Sequence, residues 1–210
     1  MDISALKAVV FDCDGVMFDT ALANRKFYDE ILAAFDKPSM TQKQFHNVHM
    51  MTVKAAIEYL FPDVDDYSPI YEIIKSIRYA KFTPYMKREK GLKKLLAALK
   101  ENGLIRGIAT NRTNTMESVL IDNDMTTLFE IVVTAADVDH PKPAPDQLHK
   151  IMAEFNLSPE EIIFVGDSEY DQRAAQAAGT WFIAFRQPNL DAHFHAVSMA
   201  EVGEFLQINK

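Results

Sequence analysis

Short apolar runs recur along the chain, and their spacing predicts the strands of one sheet. Each run is four to six residues long, is rich in β-branched or aromatic residues and does not alternate with polar positions. The runs are residues 8–11, 104–109, 131–134, 162–165 and 181–185. Runs of this length and composition are typical of strands that are buried on both faces.

Stripes of apolar residues with helical spacing lie between these runs. They comprise Leu92, Leu95, Leu96 and Leu99, then Met116, Val119 and Leu120, then Leu148, Ile151, Met152 and Phe155. A leucine stripe that ends at Gly103 has the form of an amphipathic helix with a glycine stop. Strands that alternate with helices predict an α/β fold with a doubly wound parallel sheet.

The segment from about residue 20 to residue 84 interrupts the alternation of strand and helix. It contains no clear strand pattern, and prolines separate three amphipathic stripes at residues 27–35, 53–61 and 70–77. The chain is therefore predicted to form an α/β core of residues 1–17 and 85–210 with an inserted helical domain of residues 18–84.

Composition and charge exclude several classes of protein. The chain of 210 residues has a formal net charge of −8, which argues against a nucleic-acid partner. Cys13 is its only cysteine, so no internal disulfide forms, and the apolar run near the start is too short for a membrane span or signal peptide. We expect a cytoplasmic protein with no membrane partner; the oligomeric state is unknown.

Two aspartates follow the first predicted strand. Asp12 and Asp14 stand in the segment Phe-Asp-Cys-Asp-Gly, and extended backbone would place both carboxylates on the same side, in one pocket. Ligands of open parallel sheets bind beyond the carboxyl ends of strands. Two like charges this close require a cation or a shared proton, although each aspartate alone could be a loop or cap residue.

A second acidic pair follows the fourth predicted strand. Asp167 comes directly after Val165-Gly166, and Asp171 falls in the first turn of the next predicted helix. Carboxylates from two strand ends indicate a site for a hard cation with oxygen ligands, which favours Mg²⁺. Asp167 alone could instead be a helix cap.

Polar residues also follow the second and third predicted strands. Thr110 and Asn111 offer hydroxyl, amide and backbone donors for an anion. Lys142 stands between two prolines, which stiffen its backbone, and an ammonium there can neutralise both a phosphate and the aspartates. A helix is expected to begin at Pro143 or Pro145.

These four motifs, in this order, resemble the haloacid dehalogenase-like hydrolase superfamily. The motifs are Asp-x-Asp-Gly, Thr-Asn, Lys-Pro-x-Pro-Asp and Gly-Asp-Ser-x-x-Asp. The resemblance is strongest to the phosphoglycolate phosphatase and β-phosphoglucomutase-like branch, and it covers essentially the whole chain. The helical insertion resembles the small cap domain of that branch.

The resemblance implies a role for each motif residue. Asp12 would be the nucleophile and a magnesium ligand; Asp14 would be the general acid and base, with its backbone carbonyl on the metal. Asp167 would bind the metal directly, and Asp171 would support it directly or through water. The residues implied to hold the phosphoryl group are Thr110, Asn111 and Lys142.

The expected function is magnesium-dependent hydrolysis of a small phosphate monoester through an aspartyl-phosphate. Family members that cleave carbon–halogen or carbon–phosphorus bonds have replaced the second aspartate, whereas Asp14 is present here. A sugar phosphomutase of the same branch would share every catalytic residue. A catalytically silent binding module is a further alternative, against which the cost of idle buried carboxylates argues.

Four residues outside the motifs are candidates for reading the substrate. His49, Thr52 and Lys54 lie in a polar part of the insertion, where the resemblance places the substrate-reading loop. The alternative for them is a polar loop between helices. Arg112 follows the Thr-Asn motif and could contact the substrate or the solvent.

Overall fold

The computed structural model describes residues 2–208, and the chain divides into two compact units. Unit 1 combines Met1–Asp19 with Arg88–Lys210, and unit 2 is formed by Thr20–Lys87 between them. The insertion predicted at residues 18–84 covers most of unit 2. Its role as a cap remains a prediction.

Unit 1 contains the main sheet. The strands of the described chain are β1 Ala8–Phe11, β2 Phe18–Asp19, β3 Lys87–Arg88, β4 Ile105–Ala109, β5 Ile131–Val133, β6 Ile162–Gly166, β7 Trp181–Phe185 and β8 Phe194–Ala196. Six of them form a parallel sheet in the order β5-β4-β1-β6-β7-β8. The predicted α/β fold with a doubly wound parallel sheet is confirmed, and each of the five predicted runs forms one of its strands.

The order of the strands fixes where the chain changes direction across the sheet. From β1 the chain passes to β4 and β5 on one side, and then returns to β6 and β7 on the other. Phe11 at the end of β1 pairs with Ile108 of β4 and with Val165 of β6. The carboxyl ends of these three strands therefore lie together at the switch point, where open α/β sheets bind ligands.

Helices cover both faces of this sheet. The helices of unit 1 are α5 Leu92–Glu101, α6 Met116–Asp122, α7 Asp146–Phe155, α8 Glu169–Ala178 and α9 Met199–Phe205. On one face α7 and α8 pack against Val10 and Phe164. On the other face Arg106, which lies beside Val9 in the sheet, donates to the Leu96 carbonyl of α5 at 3.4 Å.

Unit 2 is helical and has an apolar core of its own. Its helices are α1 Ala21–Ala33, α2 Gln42–Val48, α3 Val53–Leu60 and α4 Ser68–Ser76. Phe27 packs edge-to-face against the rings of Tyr28, Tyr79 and Phe82, and Ile31 and Ile57 are fully buried. Across the described residues of both units, no helix is long and apolar enough to cross a membrane.

Four elements differ from the sequence-based expectation. Residues 194–196, where no strand is predicted, form the edge strand β8, because Phe194 to Ala196 pair with β7. The polar segment before residue 49 forms α2, which a capping box of Thr41 and Gln44 begins. Helix α9 was not predicted from the sequence. Helix α7 begins at Asp146, with Pro145 as its N-cap, one residue after the later of the two expected starts.

Candidate active site

Asp12 lies directly beyond the carboxyl end of β1, at the switch point of the sheet. Its backbone N–H donates to the carbonyl oxygen of Val165 at 2.9 Å, so the pairing of β1 with β6 continues one residue past the strand. The Asp12 side chain is buried. A buried carboxylate at this position is held at the place where parallel sheets bind their ligands.

Lys142 joins two of the predicted acidic residues. Its Nζ atom donates to Asp12 Oδ1 at 2.7 Å and to Asp171 Oδ1 at 2.6 Å. The amide of Asn111 donates to the Lys142 backbone carbonyl at 2.9 Å, and the peptide bond to Pro143 is cis. The lysine is therefore held at its backbone and at its ammonium group.

The charge of Lys142 is stable in this environment. Burial alone would lower the pKa of Lys142, but the charges of Asp12 and Asp171 and their hydrogen bonds outweigh burial and raise that pKa. Lys142 therefore presents a fixed positive charge beside the carboxylate of Asp12 at neutral pH.

Asp171 is engaged at both carboxylate oxygens. Oδ1 accepts from Lys142, while Oδ2 accepts from the backbone N–H groups of Asp167 and Ser168 at 3.2 and 3.0 Å and from the Ser168 hydroxyl at 2.6 Å. A Cβ atom at Gly166 would stand 2.3 Å from the Asp171 Cβ, so only glycine fits there. These contacts make Asp171 an anchor for Lys142.

Three carboxylates form a cluster that fits a divalent cation. Oxygen atoms of Asp12, Asp167 and Asp171 all lie within 4.8 Å of one another. Gly15 has φ +80°, and a Cβ atom there would stand 1.9 Å from Asp167 Oδ2, so the turn leaves room for this carboxylate only because residue 15 is glycine. Hard oxygen donors at this spacing are suited to Mg²⁺ or a similar ion.

The electrostatics of the cluster also fit a cation. Burial raises the pKa of Asp12 to about 7, and the nearby charges of Asp171 and Asp14 add to the rise while Lys142 opposes it. Burial and the charges of Asp171 and Asp12 raise the pKa of Asp167 well above its usual range. One ammonium does not neutralise three carboxylates, so a divalent cation would complete the charge balance.

Asp14 follows Asp12 in a turn beyond β1, and its charge is close enough to raise the pKa of Asp12 and of Asp167. The chain turns at Cys13, whose carbonyl accepts from the N–H groups of Met17 and Phe18 at 3.0 Å, and extended geometry ends there. The Asp14 carboxylate pairs with Arg112 through two hydrogen bonds of 2.7 and 2.8 Å. Arg112, a candidate for contact with substrate or solvent, is buried against Asp14.

Thr110 is fixed at the end of β4 by its neighbours. Its N–H donates to the carbonyl of Val133 at 3.0 Å, and its own carbonyl accepts from the Gln147 amide at 2.7 Å. Its hydroxyl oxygen accepts from the backbone N–H of Arg112 at 3.2 Å, which leaves the hydroxyl proton to be donated elsewhere. The side-chain amide of Asn111 holds the Lys142 backbone, so it acts on the site through that lysine.

The other specificity candidates lie in unit 2 around the connection between α2 and α3. His49 caps α2, stacks on Phe45 and has its Nδ1 atom 3.2 Å from Asn24 Nδ2. Thr52 is the N-cap of α3, with its hydroxyl accepting from the Ala55 N–H at 3.2 Å. Lys54 is exposed in the first turn of α3. Thr52 therefore has a structural role that the sequence pattern did not reveal.

Some residues that contact the candidate site residues were not recognised from the sequence. Gln147 is fully buried and holds the Thr110 carbonyl, yet in the sequence it is an ordinary polar residue at a helix start. Ser168 caps α8 and binds Asp171 in a capping box, and the Ser-x-x-Asp spacing was a signal for that contact. The pairing of Arg112 with Asp14 carried no signal, because 98 positions separate the two residues.

Replacing Lys142 with methionine should lower both activity and stability. The substitution keeps most of the volume but leaves the carboxylates of Asp12 and Asp171 without their ammonium. Removing one partner of a buried ion pair costs about 3–5 kcal/mol of unfolding free energy, and removing one charged donor from a reacting group lowers kcat about 10²- to 10³-fold. Urea unfolding and phosphate release measure the two effects.

Lys150→Met is the matched control for this variant. Lys150 lies on α7, and its exposed ammonium donates only to the Asp137 carbonyl among the described contacts, at 2.9 Å. Its loss should leave kcat and the urea midpoint close to those of the wild type. Equal losses of stability and activity in the two variants would show that the ion pairs of Lys142 contribute nothing specific to the site.

Known proteins resemble this chain over nearly its whole length. The haloacid dehalogenase-like hydrolase family model matches residues 9–185. A phosphoglycolate phosphatase of Escherichia coli strain K12 is 28% identical over 199 residues, covering 83% of this chain and 79% of that protein. Residues 9–185, which the family model matches, include each of the four motifs described above.

Solved structures resemble the fold as well. A haloacid dehalogenase superfamily hydrolase of subfamily IA from Geobacter sulfurreducens is 35% identical, with a TM-score of 0.77, and the match covers 96% of this chain and 97% of that one. A β-phosphoglucomutase from Clostridium difficile has a TM-score of 0.85 at 16% identity, with 96% of both chains covered. At that identity the second likeness concerns the fold alone.

Proposed function

This chain belongs to the haloacid dehalogenase-like hydrolase family, and from that premise we propose that it hydrolyses a small phosphate monoester. The reaction depends on Mg²⁺ and passes through an aspartyl-phosphate on Asp12. The observation that carries the proposal is the buried Asp12 carboxylate, which lies 2.7 Å from Lys142 Nζ within a cluster of three carboxylates. Phosphoryl transfer requires a nucleophile in such a strongly charged, positioned site.

The chemistry proceeds in two half-reactions. In the first, an Asp12 carboxylate oxygen bonds to phosphorus, the bond from phosphorus to the ester oxygen breaks, and Asp14 protonates the leaving alkoxide. In the second, Asp14 takes a proton from water, the water oxygen bonds to phosphorus, and the bond to Asp12 breaks with release of inorganic phosphate. Asp14 ends the cycle protonated, as it began.

The remaining residues of the site bind and orient the groups that react. Lys142, Thr110 and Asn111 would hold the phosphoryl oxygens, and the Asn111 amide also supports Lys142 at its backbone. Asp12 and Asp167, with the backbone carbonyl of Asp14, would hold Mg²⁺, and Asp171 would act through Lys142 or through a metal-bound water. The bound ion would supply positive charge that neutralises the phosphoryl group.

The test is the release of inorganic phosphate from a panel of phosphate esters with Mg²⁺. Phosphoglycolate is the first member because the matched Escherichia coli protein is a phosphoglycolate phosphatase. Sugar phosphates, nucleoside monophosphates and para-nitrophenyl phosphate complete the panel. Phosphate release from one class, with transient labelling of Asp12, would support the proposal.

Other outcomes of the panel distinguish the alternatives. A sugar phosphomutase would move a phosphoryl group within a sugar phosphate and release little inorganic phosphate. A silent binding module would bind a panel member in calorimetry and turn over none. Either result would contradict hydrolysis as the main reaction.

We further propose that unit 2 selects the leaving group. His49→Ala and Lys54→Ala should change the ranking of esters in the panel by about 5- to 150-fold in kcat/KM, since an unpaired polar group costs about 1–3 kcal/mol. Thr52→Ala is a poorer probe because it removes a helix cap worth about 1 kcal/mol. The ratios between esters are the measurement that separates specificity from folding.

Lys75→Ala is the control for these variants. Lys75 is an exposed residue of α4 that pairs with Glu72 on the same helix, and its loss should leave the ranking unchanged. If His49 and Lys54 variants lower kcat/KM for every ester by one factor, unit 2 does not select through these residues.

A further inference from the structure

We propose that Arg112 is a positioning residue that aims the Asp14 carboxylate at the reacting phosphoryl group. The inference rests on the proposed function, in which Asp14 is the acid and base. It assigns to Arg112 a task in proton transfer, in place of the substrate contact or solvent position that its sequence suggested. The supporting observations are its contacts, its burial and its connection to Thr110.

The guanidinium holds Asp14 from one side in a two-point contact. Arg112 Nε lies 2.7 Å from Asp14 Oδ2, and Nη2 lies 2.8 Å from Oδ1. A planar fork that meets both oxygens of a carboxylate fixes its rotation as well as its distance. The side chain of Arg112 is 6% exposed and that of Asp14 is 16% exposed, so the pair is shielded from competing water.

Arg112 is itself rigidly connected to the sheet. Its carbonyl accepts from the N–H of Ala135, just beyond β5, at 2.9 Å, and its N–H donates to the Thr110 hydroxyl at 3.2 Å. Nη1 lies 3.3 Å from the Thr115 hydroxyl. Arg112 is thus bonded to residues at the ends of β4 and β5, and its guanidinium holds Asp14 in the turn beyond β1. Arg112 therefore contacts both Asp14, the proposed acid and base, and Thr110, which is proposed to hold the phosphoryl group.

Asp14 lies in the turn beyond β1, where its backbone forms a bridge with Phe18 and its carboxylate is held by Arg112. The cluster of carboxylates close enough to share a metal comprises Asp12, Asp167 and Asp171, and Asp14 is not in it. Asp12 is still paired with β6 through its backbone, whereas the chain has already turned at Asp14. A catalytic group displaced by about 1 Å loses about 10²-fold in rate, so a positioning contact has a measurable effect.

Arg112→Ala should lower kcat about 10²-fold with little change in KM. Arg112→Lys keeps the charge but loses the fork and should recover only part of the rate. Adding guanidinium at a concentration below denaturation should restore part of the rate to Arg112→Ala and none to the wild type. A large rise in KM for some esters, with kcat unchanged, would show instead that Arg112 binds substrate.

Arg106→Ala is the matched control. Arg106 is the other buried arginine of the described residues; it pairs with Glu130 at the amino-terminal part of β4, away from the site. Its loss removes a comparable ion pair and should lower the melting temperature without lowering kcat of the folded fraction. Equal falls of kcat in both variants would overturn the inference and leave Arg112 with a structural role.

A double-mutant cycle tests whether Arg112 acts through Asp14. In the Asp14→Asn background, Arg112→Ala should cause little further loss of kcat, because the group that it positions is already inactive. A further loss of about 10²-fold would show that Arg112 acts independently of Asp14.

Crystal structures of Arg112→Ala and Arg106→Ala provide a readout that does not depend on turnover. The Asp14 carboxylate should move or adopt several rotamers in the first variant only. An unchanged Asp14 in Arg112→Ala would overturn the inference. The proposed function is tested separately, on the wild-type protein, so the two failures are distinguishable.

Discussion

Asp12→Asn is expected to abolish turnover. The amide has nearly the shape of the carboxylate but is a poor nucleophile, and it carries no charge for a metal. Loss of a catalytic nucleophile lowers kcat by about 10⁶-fold, which falls below detection in a phosphate-release assay. Acid-quenched enzyme analysed by mass spectrometry should show the phosphoryl adduct in the wild type and none in the variant.

Unfolding is not expected to explain the loss in Asp12→Asn. The folded protein raises the pKa of Asp12 from 3.8 to about 7, so between these values it binds more protons than the unfolded chain. Stability then falls as pH rises through this window, and the ionised Asp12 destabilises the metal-free fold at neutral pH. Removing the charge should leave the metal-free variant at least as stable as the wild type in urea unfolding.

Asp124→Asn is the matched control for Asp12→Asn. Asp124 is exposed beyond α6 and has φ +52°, a conformation that asparagine also tolerates. Its substitution makes the same chemical change outside the site and should leave turnover unchanged. Near-normal kcat in Asp12→Asn would mean that another group is the nucleophile.

Removal of divalent cations is expected to abolish turnover as well. Excess chelator should stop phosphate release, and Mg²⁺ should restore it, because three carboxylates share a single ammonium in the site. Ca²⁺ should substitute poorly, since its longer and more variable coordination does not hold reacting groups in line. Turnover that continues in excess chelator would contradict the metal assignment.

Thermal unfolding measures the same site without turnover. Mg²⁺ at 100 times its dissociation constant should stabilise the folded wild type by about 2.7 kcal/mol, a shift that is read as a higher melting temperature. Asp167→Asn removes an oxygen ligand and should lose most of this shift. Asp137→Asn, which alters a carboxylate bound to Thr134 outside the cluster, should retain it.

The main strands were predictable because each is buried on both faces. Val9 and Val10 are both fully buried, so the run that contains them is apolar at every position. Such a run can be recognised as a strand without knowing which strands pair with it. Strand β8 lacks this signal. His195 is exposed, and the strand exists because Phe194 to Ala196 pair with the edge of β7.

Local polar signals were harder to interpret. Helix α2 was read as part of a polar connection, because only Phe45 and Val48 on its seven residues are buried. A polar residue such as Thr52 fits a substrate-reading loop and a loop between helices equally well. Its role as an N-cap depends on where α3 begins. Such boundaries are set by packing of the neighbouring helices, which a pattern of residue types does not contain.

The sequence by itself determined the α/β class, the strand ends that carry polar residues, and the identity of the acidic and basic groups. The tertiary structure alone decided that Lys142 joins Asp12 to Asp171, and that Asp14 pairs with Arg112. The physical reason is that apolar periodicity reports local burial, whereas an ion pair depends on side-chain direction and distance. The chain turns after Cys13, with Gly15 at φ +80°, and the Asp14 carboxylate meets Arg112, a contact that no pattern of residue types records.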